Sequence, residues 1–126
     1  MAFRPPLLWL DCTAGAFVGV GVLALSGWLS AVEGLPRGVL VFTGVANVVY
    51  AAFSFSLAVR HRRPLVLVSA LAVANLAWAP VCLGLAVAFG GRATAWGGAH
   101  LVGEAVFVGT LGAVEWAHRH RLAAGT

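Results

Sequence analysis

No lysine occurs in this chain of 126 residues, and its acidic residues number only four, Asp11, Glu33, Glu104 and Glu115. Charged residues make up 10% of the sequence and hydrophobic ones 61%. A soluble domain carries about a quarter charged residues, so an ordinary water-soluble fold is excluded. The eight basic residues are all arginine. With the abundance of Ala, Val and Gly, this suggests a GC-rich bacterial coding sequence. The two cysteines, Cys12 and Cys82, form neither a metal-ligand spacing nor a redox pair, and each reads as a small buried apolar residue. No Ser-His-acid or Cys-His set is placed by spacing, and no cofactor-binding motif is present. The net charge of +4 and the isoelectric point near 10.6 do not imply nucleic acid, because the arginines fall between hydrophobic stretches rather than on one accessible face.

Four long apolar stretches fill the chain. The first runs from Leu7 to about Ser30, entered through Arg4-Pro5-Pro6 and left through the turn chemistry of Glu33-Gly34-Leu35-Pro36. The second covers 38–59 and stops at Arg60-His61-Arg62-Arg63-Pro64. The third covers 65–89 and ends at Gly90-Gly91-Arg92, and the fourth covers 94–117, closed by His118-Arg119-His120-Arg121. Each is long enough to cross about 30 Å of hydrocarbon at about 1.5 Å per residue. The expected fold is an all-α integral membrane protein: one domain over 1–126, a four-transmembrane-helix up-down bundle with short loops and the lipid bilayer as its first partner. Arg4, Arg60, Arg62, Arg63, Arg119 and Arg121 fall on one side and only Arg37 and Arg92 on the other. This predicts cytoplasmic termini in a bacterial inner membrane. The first stretch is too long for a typical signal sequence and is read as a retained helix. Trp9, Trp28, Trp96 and Trp116 fall near span ends, where an aromatic belt belongs, whereas Trp78 falls near the midplane.

The informative residues are the polar ones inside these spans. An ionisable group at membrane depth costs a few kcal/mol or more and is normally turned toward a bundle interior or a water-filled cavity. Counting from the arginine-rich ends places Asn75 roughly 16 Å, Glu104 roughly 18 Å and Asn47 roughly 19 Å deep. Asp11 comes out roughly 8 Å and His100 roughly 24 Å deep, so the sequence implies a polar column. His100 and Glu104 share a helix face at i and i+4, and Thr43, Asn47, Tyr50 and Ser54 form a stripe. Gly15 and Gly19, and Ala105, Gly109 and Ala113, form small-residue patterns that admit a neighbouring backbone. Pro80 deprives the Leu76 carbonyl of its helical partner and is a candidate kink. Val45-Ala46-Asn47-Val48-Val49-Tyr50 parallels Val73-Ala74-Asn75-Leu76-Ala77-Trp78, which on adjacent antiparallel spans has the form of an inverted repeat.

Glu104, His100, Asn47, Asn75, Tyr50, Trp78 and Asp11 are therefore the candidate substrate-binding residues. Simpler roles compete: Asn47 and Asn75 as interhelical hydrogen-bond partners, Asp11 as the ion-pair partner of Arg4, Arg60 or Arg121, and His100 as a neutral partner of Thr43 or of a backbone carbonyl. Glu115, beside Trp116, Arg119 and Arg121, reads as interfacial. Glu104 has no arginine at its level and is expected to be protonated, in reach of Asn47 or Asn75, with His100 as its relay. The spread of Asp11, His100 and Glu104 over roughly 16 Å excludes a shared metal ion. In length and span number the chain is similar to small multidrug-resistance transporters and fluoride channels, and Phe53-Ser54-Phe55-Ser56 resembles the Phe/Ser/Thr motif of the latter. Its glycine-rich context is missing, so no residue is carried across. The leading expectation is a protein that binds or transports a small substrate, proton-linked at Glu104, and works as a homodimer because four helices enclose little volume. The alternatives are a membrane enzyme acting on a lipophilic substrate with Glu104 and His100 as acid-base pair, and a structural subunit.

Overall fold

The computed structural model describes residues 6–124, and these fold into six helices: α1 (Pro6–Ala24), α2 (Ser26–Glu33), α3 (Arg37–Ala58), α4 (Leu65–Ala88), α5 (Ala95–Ala117) and α6 (Arg119–Ala124). Among the described residues there is no strand. Four helices, α1, α3, α4 and α5, have the length and apolar character needed to cross a membrane, which makes the molecule an all-α multi-pass membrane bundle. Their outer faces carry exposed apolar side chains, Phe17 at 82% and Val87 at 84%. In water so continuous an apolar surface would drive association; in lipid it is the solvated face. Trp9, Trp28, Trp96 and Trp116 all lie on this exposed surface, while Trp78 is buried. Arg4 lies outside the described residues.

The first apolar stretch is not one helix ending near Ser30. It breaks at Leu25 and resumes as α2, which reaches Glu33. The break is slight, since the Leu25 amide still donates to the Gly21 carbonyl (3.0 Å) and the Leu29 amide to the Leu25 carbonyl (2.8 Å). Its consequence is positional, because α2 leans over the ends of α3 and α5 and carries Glu33 inward. By contrast α4 runs unbroken through Pro80.

The bundle is two intimate pairs, α1 with α3 and α4 with α5, joined along a thinner seam. Glycine explains the intimacy. A Cβ on Gly19 would stand 2.9 Å from the Gly44 carbonyl oxygen and 2.9 Å from the Val48 amide of α3. On the other pair it is Gly112, not the Ala105, Gly109 and Ala113 row, that makes the closest approach, with the Ala72 carbonyl and the Leu76 amide of α4 both at 2.9 Å. Without a hydrophobic drive between helices in lipid, such close backbone packing is what holds them.

Both ends are tied. At one end the Thr94 amide donates to the Glu33 carbonyl (2.8 Å) and its hydroxyl to the Val32 carbonyl (2.7 Å), while the same side chain caps α5 at Gly97. Gly34 supplies the left-handed turn there (φ 69°), and Leu35 is fully buried beneath it. At the arginine-rich end Arg63 is 4% exposed and donates to the carbonyls of Leu57 (2.7 Å), Ala58 (3.4 Å) and Leu122 (3.0 Å), closing the end of α3 and docking α6. Arg63 thus serves as a structural clamp besides adding to the charge asymmetry. Burial holds its guanidinium below the ordinary arginine value.

Candidate functional site

The seam between the two pairs is where the polar residues meet, and it holds two clusters. In the first, Glu104 of α5 is addressed from both neighbouring pairs: its Oε1 accepts from Asn47 Nδ2 of α3 (2.5 Å) and from Trp78 Nε1 of α4 (3.1 Å). One turn away along the same face, His100 sets Nε2 at 3.4 Å from Glu104 Oε2 and Nδ1 at 2.7 Å from Glu33 Oε1. Glu33 is held there by its own backbone, since its carbonyl receives the Thr94 amide and packs so closely on Gly97 that a Cβ at that position would collide with it. A neutral imidazole has one N–H and serves one carboxylate; a protonated imidazole serves both. Only the contact to Glu33 is a hydrogen bond here, and His100 Nε2 and Glu104 Oε2 are buried at 3.4 Å without a hydrogen-bond partner, so a single proton arriving or leaving decides whether the three residues form a continuous chain.

The second cluster lies toward the arginine-rich end. Asn75 Nδ2 of α4 donates to Asp11 Oδ2 of α1 (2.9 Å) and to Glu115 Oε1 of α5 (2.7 Å). All three are buried, with Asp11 at 4%, Asn75 at 1% and Glu115 at 0% exposure. This corrects three expectations. Glu115 is not interfacial: α6 turns back after His118 and packs on α4, placing Leu122 in one core cluster with Leu8, Leu57 and Val68 over the end of the bundle. Asp11 takes Asn75 as its partner rather than Arg60 or Arg121. Of the two amides expected near Glu104, Asn47 is the one that donates to it, while Asn75 serves this second cluster. His100 bonds neither Thr43 nor a carbonyl; it joins two glutamates.

Between the clusters lies a cavity of about 280 Å³ within the single chain. Its wall includes Asp11 and Asn75 at one end, His100, Glu104 and Asn47 at the other, and Tyr50, Trp78 and Phe107 between. All seven residues singled out from the sequence thus reach one space. Tyr50 donates to the Ala74 carbonyl (2.9 Å) and its ring lies 6.0 Å from that of Trp78, so the two Asn-aromatic segments face each other across the seam. The space is lined by residues of one copy of the chain, and the Gly15 and Gly19 face is occupied by α3. Both cysteines are free, with Cys82 buried. Among the described residues no three His, Cys, Asp or Glu side chains are arranged to hold a metal ion.

A second concavity touches the site from the opposite side. It is a groove between α2 and the N-terminal end of α5, walled by Trp28, Leu29, Trp96 and Ala99 and bordered by Glu33 and His100. Trp28 is 63% and Trp96 71% exposed, so the groove opens outward. His100 borders both spaces. Comparison with known proteins finds no protein-family model, no curated protein and no solved structure that matches the chain.

Proposed function

We propose that the protein binds and transports a small cation through the cavity in exchange for a proton handled by Glu33, His100 and Glu104. The observation that carries this reading is the position of His100 between the outer groove and the inner cavity, with a carboxyl group on each side. The charge of the substrate follows from the lining: two acids and one histidine border the cavity and no arginine does. The aromatic faces of Trp78 and Tyr50 suit a cation with apolar substituents. Binding next to Glu104 would draw its oxygens toward the substrate's charge and displace the proton shared with His100 toward Glu33 and the groove. The same linkage run in reverse releases the substrate. The arginine asymmetry would put the groove on the outer side of a bacterial inner membrane.

The test uses purified protein in weakly buffered detergent, titrated with benzyltrimethylammonium and with benzoate as an anion of similar size. The cation should bind with stoichiometric proton release, and Glu104→Gln should release none. Binding of benzoate in preference to the cation, or cation binding without proton release, would overturn the reading. The groove also supports a second reading, since it exposes a His100 oriented by Glu33 to the lipid side. That is the arrangement a membrane enzyme would need to use His100 as a general base on a lipophilic substrate. Loss of function on narrowing the groove with Ala99→Trp, while cation binding in the cavity persists, would favour it.

A further inference from the structure

Asp11 and Asn75 line the cavity but Glu115 does not, and the chemistry of the three together is unusual enough to ask what it holds. Two carboxyl groups from different helices converge on a single amide nitrogen, at 2.9 and 2.7 Å, so that the two acids flank one donor. Among the described residues no cation pairs with either acid. Among the described residues the nearest buried guanidinium, Arg63, spends its donors on backbone carbonyls, and no histidine hydrogen-bonds to either acid. Tyr50 and Ser54 of α3 hydrogen-bond to backbone carbonyls. The Oε2 of Glu115, a fully buried side chain, has no hydrogen-bond donor within reach. Two bare carboxylates at this separation in a dry interior would repel with nothing to offset their lost hydration. A carboxylic acid O–H on Glu115 turned toward Asp11 removes the repulsion, supplies the missing hydrogen bond and leaves the Asn75 amide two acceptors for its nitrogen.

We infer that Asp11, Asn75 and Glu115 form a second proton-binding site, in which one proton is carried on Glu115 and shared with Asp11 while Asn75 holds both carboxyl groups in place. A metal cation fits less well. It would call for several oxygen ligands, whereas the Asn75 amide presents its nitrogen to both acids. Eleven residues of α5 separate Glu115 from Glu104, about 16 Å at 1.5 Å per residue and nearly the same helix face. The cavity lies between, so the bundle carries a proton site at each end of it. This inference stands on the seam geometry alone and survives if the substrate is not a cation.

Infrared difference spectroscopy of the full chain in lipid nanodiscs tests it without a substrate. At neutral pH the spectrum should show a protonated carboxyl band that shifts when glutamate is carboxyl-labelled with carbon-13. Glu115→Gln and Asp11→Asn should each abolish the band, since either change breaks the sharing, and Glu104→Gln should leave it. Asn75→Leu should retain the band at a shifted frequency, because the donor is gone but the pair remains. The labelling experiment uses the unaltered protein, so a variant that fails to fold does not leave the matter open. The inference is overturned if the unaltered protein shows no glutamate-derived protonated band, or if the band persists in Glu115→Gln. It is equally overturned if Asp11→Asn and Glu115→Gln each remove a separate portion of absorbance, which would mean two independent protons.

Discussion

Glu33 changes the meaning of His100. Alone with Glu104, the histidine would be one half of an i, i+4 pair; with a second carboxyl on its other nitrogen it becomes a link between two acids. Glu33→Gln keeps the shape and a hydrogen-bonding group but removes the outer proton acceptor. The bundle should fold unchanged, and proton uptake into proteoliposomes following a pH jump should slow by about 10²-fold, as expected for loss of one acid-base group. Trp78→Phe is milder. It removes one N–H from Glu104 while Asn47 remains, and thermal unfolding should report a loss of about 1.5–3 kcal/mol, the usual worth of a hydrogen bond to a charged acceptor. Glu33 escaped the sequence reading because Gly34-Leu35-Pro36 behind it marks a turn, and a turn glutamate is normally in water. Glu115 escaped because its neighbours Trp116, Arg119 and Arg121 are interfacial residues. Asp11, His100 and Glu104, by contrast, stood out as isolated polar groups in apolar surroundings, and the structure draws them to the same cavity as their amide and aromatic neighbours.

At the scale of helices, span number and type were legible from hydropathy because twenty-odd apolar residues without a partner for their backbone can only be helical in lipid. Depth was less legible. Counting from each helix end assumes that all ends lie in one plane, yet Asn75, ten residues into α4, meets Asp11 five residues into α1 and Glu115 two residues from the end of α5. The break at Leu25 was equally hidden, as nothing in Ala24-Leu25-Ser26 forbids a helix. Small-residue contacts decide which helices pair. Gly19→Leu should therefore force α1 away from Gly44 and Val48 and destabilise the bundle by about 1–3 kcal/mol. Gly21→Leu, at a position with open space around its Cβ, should be neutral in the same unfolding assay. Thr94→Ala removes the cap of α5 and the tie to Val32 together, and should cost about 1 kcal/mol for the cap alone.

For the whole molecule, the arginine asymmetry predicts which end faces the cytoplasm. Cysteines introduced at Gly34 and Gly91 should react with an impermeant maleimide added to intact cells, and one at His61 should react only after lysis. The converse pattern would reverse the direction of the proposed exchange without altering its geometry. Two tight pairs joined by a polar seam also set the order in which the protein can be made. When α1 and α3 have left the ribosome and entered the bilayer, Asp11 lacks the one side chain that hydrogen-bonds to it among the described residues, because that amide is Asn75 on α4. The second hairpin is better provided, with Asn75 beside Glu115 and Trp78 beside Glu104 already inside it. The first half of the chain thus acquires the amide partner of its aspartate only when the third span arrives. A nascent or truncated chain that stops before α4 carries, in that one aspartate, a mark by which the cell can tell it from a finished protein.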